Sequence, residues 1–592
     1  MPKKLETGQK PSLKRESTEQ LLADLQKYKC AYDAESREHK LARLTELGRR
    51  SLRHPDLIRQ FHDLLCFMQA HPESPAQLEK VDELLDGFHA RIDRARETFS
   101  ATRFSELSGT GIVGTDIDYP FSFHTAKWLA EHYPDDIVIS WEDFEQVDLL
   151  CQFLPAMTSP FEAPALEDVD LDPDVWVNYA AEREGKTDFG WLMERITQSG
   201  MPEMGLEAFY ELLDLPLTWS LRPETTSRTH ARVKLSEVVY QQSPLLKKNL
   251  DTKSLLKKAL PPLQKLSPAK GRKLIGEAIS VLSVRNREIY PLFYANPRDV
   301  IVVELERGVT LILIGMRPQR RFSFETDYFF LGLKNNIPVT YGSSVICLDQ
   351  AEIAVNIFSS FRQGESALLY TQILRTIHQL FGARVFLVEK FQIGGDDNSD
   401  ALQSGAFWFY HKLGFRPVDP EIAAFAETES QKRQTTPGHR TPLPGLEKLA
   451  ESDMRLFLSG TKTRADQINL RGLGLLASEY LGIRPGQSKS TRSKQMALAR
   501  KEAQKLLGIR DLSRWTKDEK FWLGEFSPLV VNIPKLDTWS KQERRDLAAL
   551  IRAKGKTSEL EYVLRWNQHE KFKKALSSLS KKGAKLRARL LS

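Results

Sequence analysis

A chain of 592 residues is too long for one hydrophobic core, because cores stop growing at roughly 250–300 residues, so several domains are expected. With 41% hydrophobic and 28% charged residues it is neither disordered nor fibrous, and no run approaches the ~18–20 uncharged apolar residues of a membrane span. The net charge of +7 hides an asymmetry: counting Asp, Glu, Lys and Arg, residues 101–220 carry about −19 and residues 431–592 about +19.

Residues 1–18 are polar and read as a mobile tail without the apolar core of a signal peptide, so a cytoplasmic protein with no membrane partner is expected. Residues 19–103 have helical periodicity, as in Leu57, Phe61, Leu64, Leu65 and Met68, with breaks at His54-Pro55 and His71-Pro72, and predict a helical bundle. Residues 104–235 are acidic, rich in Trp and mainly helical, with helices expected at 123–132, 141–153 and 189–198. Trp128, Trp141, Trp176, Trp191 and Trp219 are assigned to the core. His124 and His132 would bind a metal only if carboxylates or another His reached them, and none is expected. The four cysteines, Cys30, Cys66, Cys151 and Cys347, are too dispersed for a zinc site or a disulfide framework.

Residues 236–290 form a Lys-rich helical connector. The pattern then changes to β-branched and aromatic runs at 300–304, 310–314, 328–333, 339–348 and 352–358, an antiparallel meander with a hairpin turn at Lys334-Asn335-Asn336. A Gly-containing turn, Phe361 to Ser366, leads into a helix with an apolar face of Tyr370, Ile373, Leu374, Ile377 and Phe381 that ends at Gly382. A buried strand at 385–388, a polar loop at 394–400 and a second helix ending at Gly414 complete the α+β arrangement. The loop lacks the ligand spacing of a calcium site. Residues 429–446 read as a linker, and 447–592 as a basic helical region whose last helix is rich in Lys and Arg.

A helix N-terminus after a strand and a glycine turn presents free N–H groups to a pyrophosphate. Gly364 would let backbone approach the ligand, Ser366 is small, and Arg362 adds charge; an ordinary strand-helix turn is the plain alternative. Ser404-Gly405-Ala406-Phe407-Trp408-Phe409-Tyr410-His411-Lys412-Leu413-Gly414-Phe415 resembles the closing motif of the GNAT superfamily of acyl-CoA-dependent N-acyltransferases. The resemblance covers about residues 299–417, within a domain set at 291–428, flanked by mainly helical N- and C-terminal regions. It implies a mixed, mostly antiparallel sheet with helices and an acyl-CoA co-substrate, expected to be acetyl-CoA, without a metal. It also implies that the 361–366 turn, with Arg362, Gln363, Gly364, Glu365 and Ser366, holds the coenzyme A pyrophosphate. Phe361 departs from the family pattern, and Ser404 replaces an Asn near the pantetheine arm.

By the same resemblance Tyr410 is the candidate acid for the departing thiolate, and Glu352 the candidate base for the amine acceptor, whose identity the sequence leaves open. An aromatic packing role for Tyr410 and a solvated strand-end role for Glu352 are the alternatives. Asn398 and His411 lie near the expected site. The basic C-terminal region would dock on the acidic region of the same chain or, less favoured, bind nucleic acid. The rival for the whole chain is a non-catalytic binding or scaffold protein on a degenerate GNAT fold.

Overall fold

The computed structural model describes residues 16–166, 171–247, 250–264, 266–460, 462–482 and 491–591. All but the last three residues of the expected tail, 1–18, therefore lie outside the described residues. The chain divides into two compact units. One comprises Met1–Arg232, Val238–Leu245 and Ser280–Arg287; the other comprises Val233–Glu237, Leu246–Ile279 and Glu288–Ser592. Among the described residues no helix is long and apolar enough to cross a membrane.

In the first unit, residues 18–98 form five helices, from Thr18–Tyr28 to His89–Thr98. The first helix opens on a capping box, Ser17 with Gln20, which satisfies two donors at the helix start. The Trp-rich part is helical with one addition, a small sheet of β1 (Asp116–Asp118), β2 (Ile137–Ile139) and β3 (Leu217–Ser220) in the order β1-β3-β2. Trp176, Trp191 and Trp219 are buried in this core and Trp128 and Trp141 pack against it, as apolar bulk with a polar tip requires.

The second unit is built on an eight-stranded sheet of β4 (Ala295–Glu304), β5 (Val309–Met316), β6 (Thr326–Lys334), β7 (Ile337–Cys347), β8 (Gln350–Ile357), β9 (Val385–Val388), β10 (Arg416–Pro417) and β11 (Met454–Phe457). The order is β10-β11-β9-β8-β7-β6-β5-β4, antiparallel except for the β8–β9 pair. The meander therefore runs from β4 to β8. Asn335 and Asn336 take φ of 50° and 67° in the β6–β7 turn, the left-handed geometry that a two-residue hairpin needs and that Asn tolerates.

The C-terminal part differs from expectation. Residues 429–446 hold the end of one helix, Pro420–Thr435, and the start of another, Leu443–Leu449, and Glu429 and Thr441 within it are buried, so the segment is not a free linker. Its Pro and Gly residues mark helix boundaries. β11 then inserts between β9 and β10, so the basic region shares the central sheet. Buried ions tie its helices down further: Lys554 Nζ donates to Glu559 Oε1 at 2.6 Å and to the Glu325 carbonyl at 2.7 Å, while Arg321 donates to the carbonyls of Lys554, Lys556 and Thr557. Breaking such a pair leaves an uncompensated buried charge, which makes this attachment a costly one to lose.

Candidate functional site at the strand fork

β8 and β9 pair only at their beginnings, Gln350–Glu352 with Val385–Leu387. Beyond Glu352 the strands part, while β8 continues to Ile357 along β7. On one face of the sheet lies the helix Ser366–Phe381, whose Phe381 packs on Tyr328. Successive strand residues alternate in direction, so Glu352, in the row of Val345 and Asp327, leaves the opposite face.

The 361–366 turn uses part of its own donors. Phe361 N–H donates to the Phe358 carbonyl, Arg362 N–H to Ser359 and Gly364 N–H to Phe361, all i to i−3 bonds. The backbone N–H groups of Ser366, Ala367 and Leu368 have no acceptor among the described residues and point out of the helix start. Arg362 is exposed, with Nε donating to the Ile357 carbonyl at 3.1 Å, and Ser366 Oγ donates to the Arg362 carbonyl. Gln363 is exposed and Gly364 buried.

Glu365 is occupied otherwise. Its carboxylate accepts from Lys334 Nζ at 2.8 Å, from Arg307 Nη2 at 2.7 Å and from the Leu246 N–H at 3.0 Å. Burial would raise its carboxyl, yet Lys334, Leu246 N–H and Arg307 outweigh it and hold the group at about 2. Arg375, fully buried in the same helix, donates to Glu306 Oε2 at 2.8 Å and to the Lys258 carbonyl at 2.8 Å. Glu306 and Arg307, adjacent in the β4–β5 connection, thus fix the helix at two places and set the turn against the sheet.

Glu352 stands where the strands separate. Burial, then the charges of Glu389, Glu325 and Asp453, lift its carboxyl to about 7. Asp327, on the same face, is buried and lifted to about 7 by burial and by Glu559, Glu352 and Glu325, and its Oδ1 has no hydrogen-bond partner among the described residues. Asp327 was not read as a site residue from the sequence; the alternation Thr326-Asp327-Tyr328 puts a carboxylate inside a strand, which was the available signal. Tyr410 lies in the short helix Ala406–Lys412, buried against Tyr370 at 5.4 Å and Phe415 at 5.8 Å between ring centroids. Its hydroxyl makes no hydrogen bond among the described residues, and burial pushes its pKa above the usual tyrosine value, so it is a neutral donor. The hydroxyl of Tyr370 is wholly buried and also unpartnered.

The other residues singled out in the sequence make local bonds or none. Ser404 ends the helix Ser399–Ser404, exposed, with Oγ donating to the Ala401 carbonyl. Asn398 caps that helix and donates to the Phe391 carbonyl. His411 is buried, held neutral by burial and Arg416 at about 4, with Nε2 unpartnered among the described residues. One further side chain enters the fork: Gln392 Oε1 accepts from the Val355 N–H at 3.2 Å on the edge that β9 leaves open.

In the first unit His132 bonds the Trp128 carbonyl, whereas His124 lies with Glu203 and Glu207, their ligand atoms within 4.8 Å of one another. Glu203 and Glu207, one turn apart, are the carboxylates that a site at His124 would have required.

No family model, no curated protein and no solved structure matches this chain.

Proposed function

We propose that the chain is an acyl-CoA-dependent N-acyltransferase, with acetyl-CoA as the expected donor and a primary amine as acceptor. The fork carries the reading: a carboxyl of pKa about 7 stands where β8 and β9 part, on the face opposite the helix whose first N–H groups have no acceptor among the described residues. The order of meander, turn, helix and parallel strand agrees with the GNAT resemblance.

Ser366, Ala367 and Leu368 N–H, with Arg362, would receive the diphosphate, where the helix dipole adds to the attraction. The amine approaches from the Glu352 face. Glu352 takes a proton from it, the nitrogen bonds to the thioester carbonyl carbon, and the C–S bond breaks; the thiolate takes a proton from Tyr410. A carboxyl near pH 7 suits this task better than an ordinary one, since it accepts a proton readily while remaining partly ionised.

The test is thiol release from acetyl-CoA over a panel of primary amines. Release is expected to rise with pH through about 7, and Glu352→Gln to lower it by ~10²-fold or more.

A second reading, a non-catalytic binding or scaffold protein on a degenerate form of the fold, is favoured by Gln392. Its side chain already satisfies the Val355 N–H on the open edge. Absence of thiol release with every amine, together with no binding of acetyl-CoA, would select it.

A further inference from the structure

The last helix, Glu570–Leu591, buries Phe572, Leu576, Leu579 and Gly583 along one side. It crosses the helix Leu470–Leu481 so closely at Gly583 and Gly472 that neither has room for a Cβ, and Ser580 Oγ accepts from the Asn469 N–H at 3.1 Å. The apolar side is therefore committed to packing. The other side carries Lys571, Lys574, Lys581, Lys582, Lys585 and Arg589, all exposed. At 3.6 residues per turn these six fall within an arc of about 100°. No acidic residue follows Glu570 in this helix. Lys571 pairs with Glu543, but Lys574, Lys581, Lys582 and Lys585 have no ion pair among the described residues.

From this stripe we infer that the helix Glu570–Leu591 is a docking surface for the phosphate backbone of a nucleic-acid duplex. From Lys574 to Lys585 it spans about 16 Å, over which a duplex presents roughly nine phosphates. A membrane surface fits less well, because an interfacial helix needs a free apolar face and this one, apart from the exposed Leu590 and Leu591 at its end, has spent its own on Leu470–Leu481. Single strands fit less well too, since base stacking needs exposed rings. Trp522, Trp539 and Trp566 are buried, and Trp515 is half-buried under Arg552. Recognition through the backbone carries no sequence preference.

The experiment uses the full chain with a labelled duplex DNA, a duplex RNA, a single strand of the same length, and phosphatidylcholine vesicles containing phosphatidylserine. Four released counterion sites predict a log–log salt slope of about −3.6 for the duplex, an affinity loss of about 150-fold between ~50 and ~200 mM salt. The triple variant Lys581→Gln, Lys582→Gln, Lys585→Gln, exposed throughout, should keep the fold and reduce the slope by about 2.7, whereas Arg at the same three positions should retain it. An unchanged slope in the Gln variant, no duplex binding at low salt, or vesicle binding without duplex binding would each overturn the inference.

Discussion

Asp327 and Glu352 face Val345 from opposite sides of β7, so their carboxyl groups leave the same face of the sheet two strands apart. That spacing is about 10 Å between backbones. Both are lifted to about 7, chiefly by burial and partly by other acids on that face. Each therefore holds a proton in the folded chain at a pH where the unfolded chain would have released it.

A stability prediction follows for Asp327. Because its folded pKa lies above its unfolded value, its contribution is fully present below pH ~4 and is lost as pH rises through about 7. Asp327→Asn keeps the shape and removes the ionisation. Chemical denaturation should find the variant more stable than the parent by ~2–4 kcal/mol at pH ~8 and little changed at pH ~4. Lower stability at the higher pH would mean that the Asp327 carboxylate is satisfied in the fold.

Arg375 should be the costliest single loss at the helix that begins the turn. Its guanidinium is fully buried and bonded to Glu306, Gln372 and the carbonyls of Lys258 and Ala259. Arg375→Met should destabilise the chain by ~2–4 kcal/mol in denaturant titration, less than a wholly buried pair because Glu306 is one-third exposed. A cost below ~1 kcal/mol would show that those carbonyls find water instead.

Tyr410 separates catalysis from packing. Since its hydroxyl makes no hydrogen bond among the described residues, Tyr410→Phe should leave stability unchanged; as acid it should lower kcat by ~10²-fold with acetyl-CoA affinity intact. An unchanged kcat would assign Tyr410 to packing against Tyr370 and Phe415.

Gln392 is expected to compete with the donor for the open edge of β8. Removing one hydrogen-bonding side chain at a cost of ~1 kcal/mol to the free state should raise acetyl-CoA affinity about fivefold in Gln392→Ala, read by calorimetry. Weaker binding in the variant would make Gln392 part of the site.

The meander and its Asn335-Asn336 turn were legible in the sequence because alternation and left-handed Asn geometry are local signals. The helix faces were legible for the same reason. β11 was not: four residues, Met454–Phe457, paired with a strand some seventy positions earlier, have no local pattern to distinguish them from a helix boundary. The 361–366 turn was legible as strand, turn and helix, but not the engagement of Glu365 by Lys334 and Arg307, which depends on the β4–β5 connection returning to the helix start. Glu352 was singled out through the GNAT resemblance, whereas its neighbour in the row, Asp327, required strand register to be seen.

The central claim is tested most directly by thermal unfolding of the full chain with and without acetyl-CoA, beside Gly364→Val, which should crowd the turn. The account predicts stabilisation of the parent by about 2.7 kcal/mol at one hundred times the dissociation constant, seen as a raised Tm, and none for the folded variant. An unchanged Tm of the parent at millimolar acetyl-CoA, or equal protection of the variant, would contradict it.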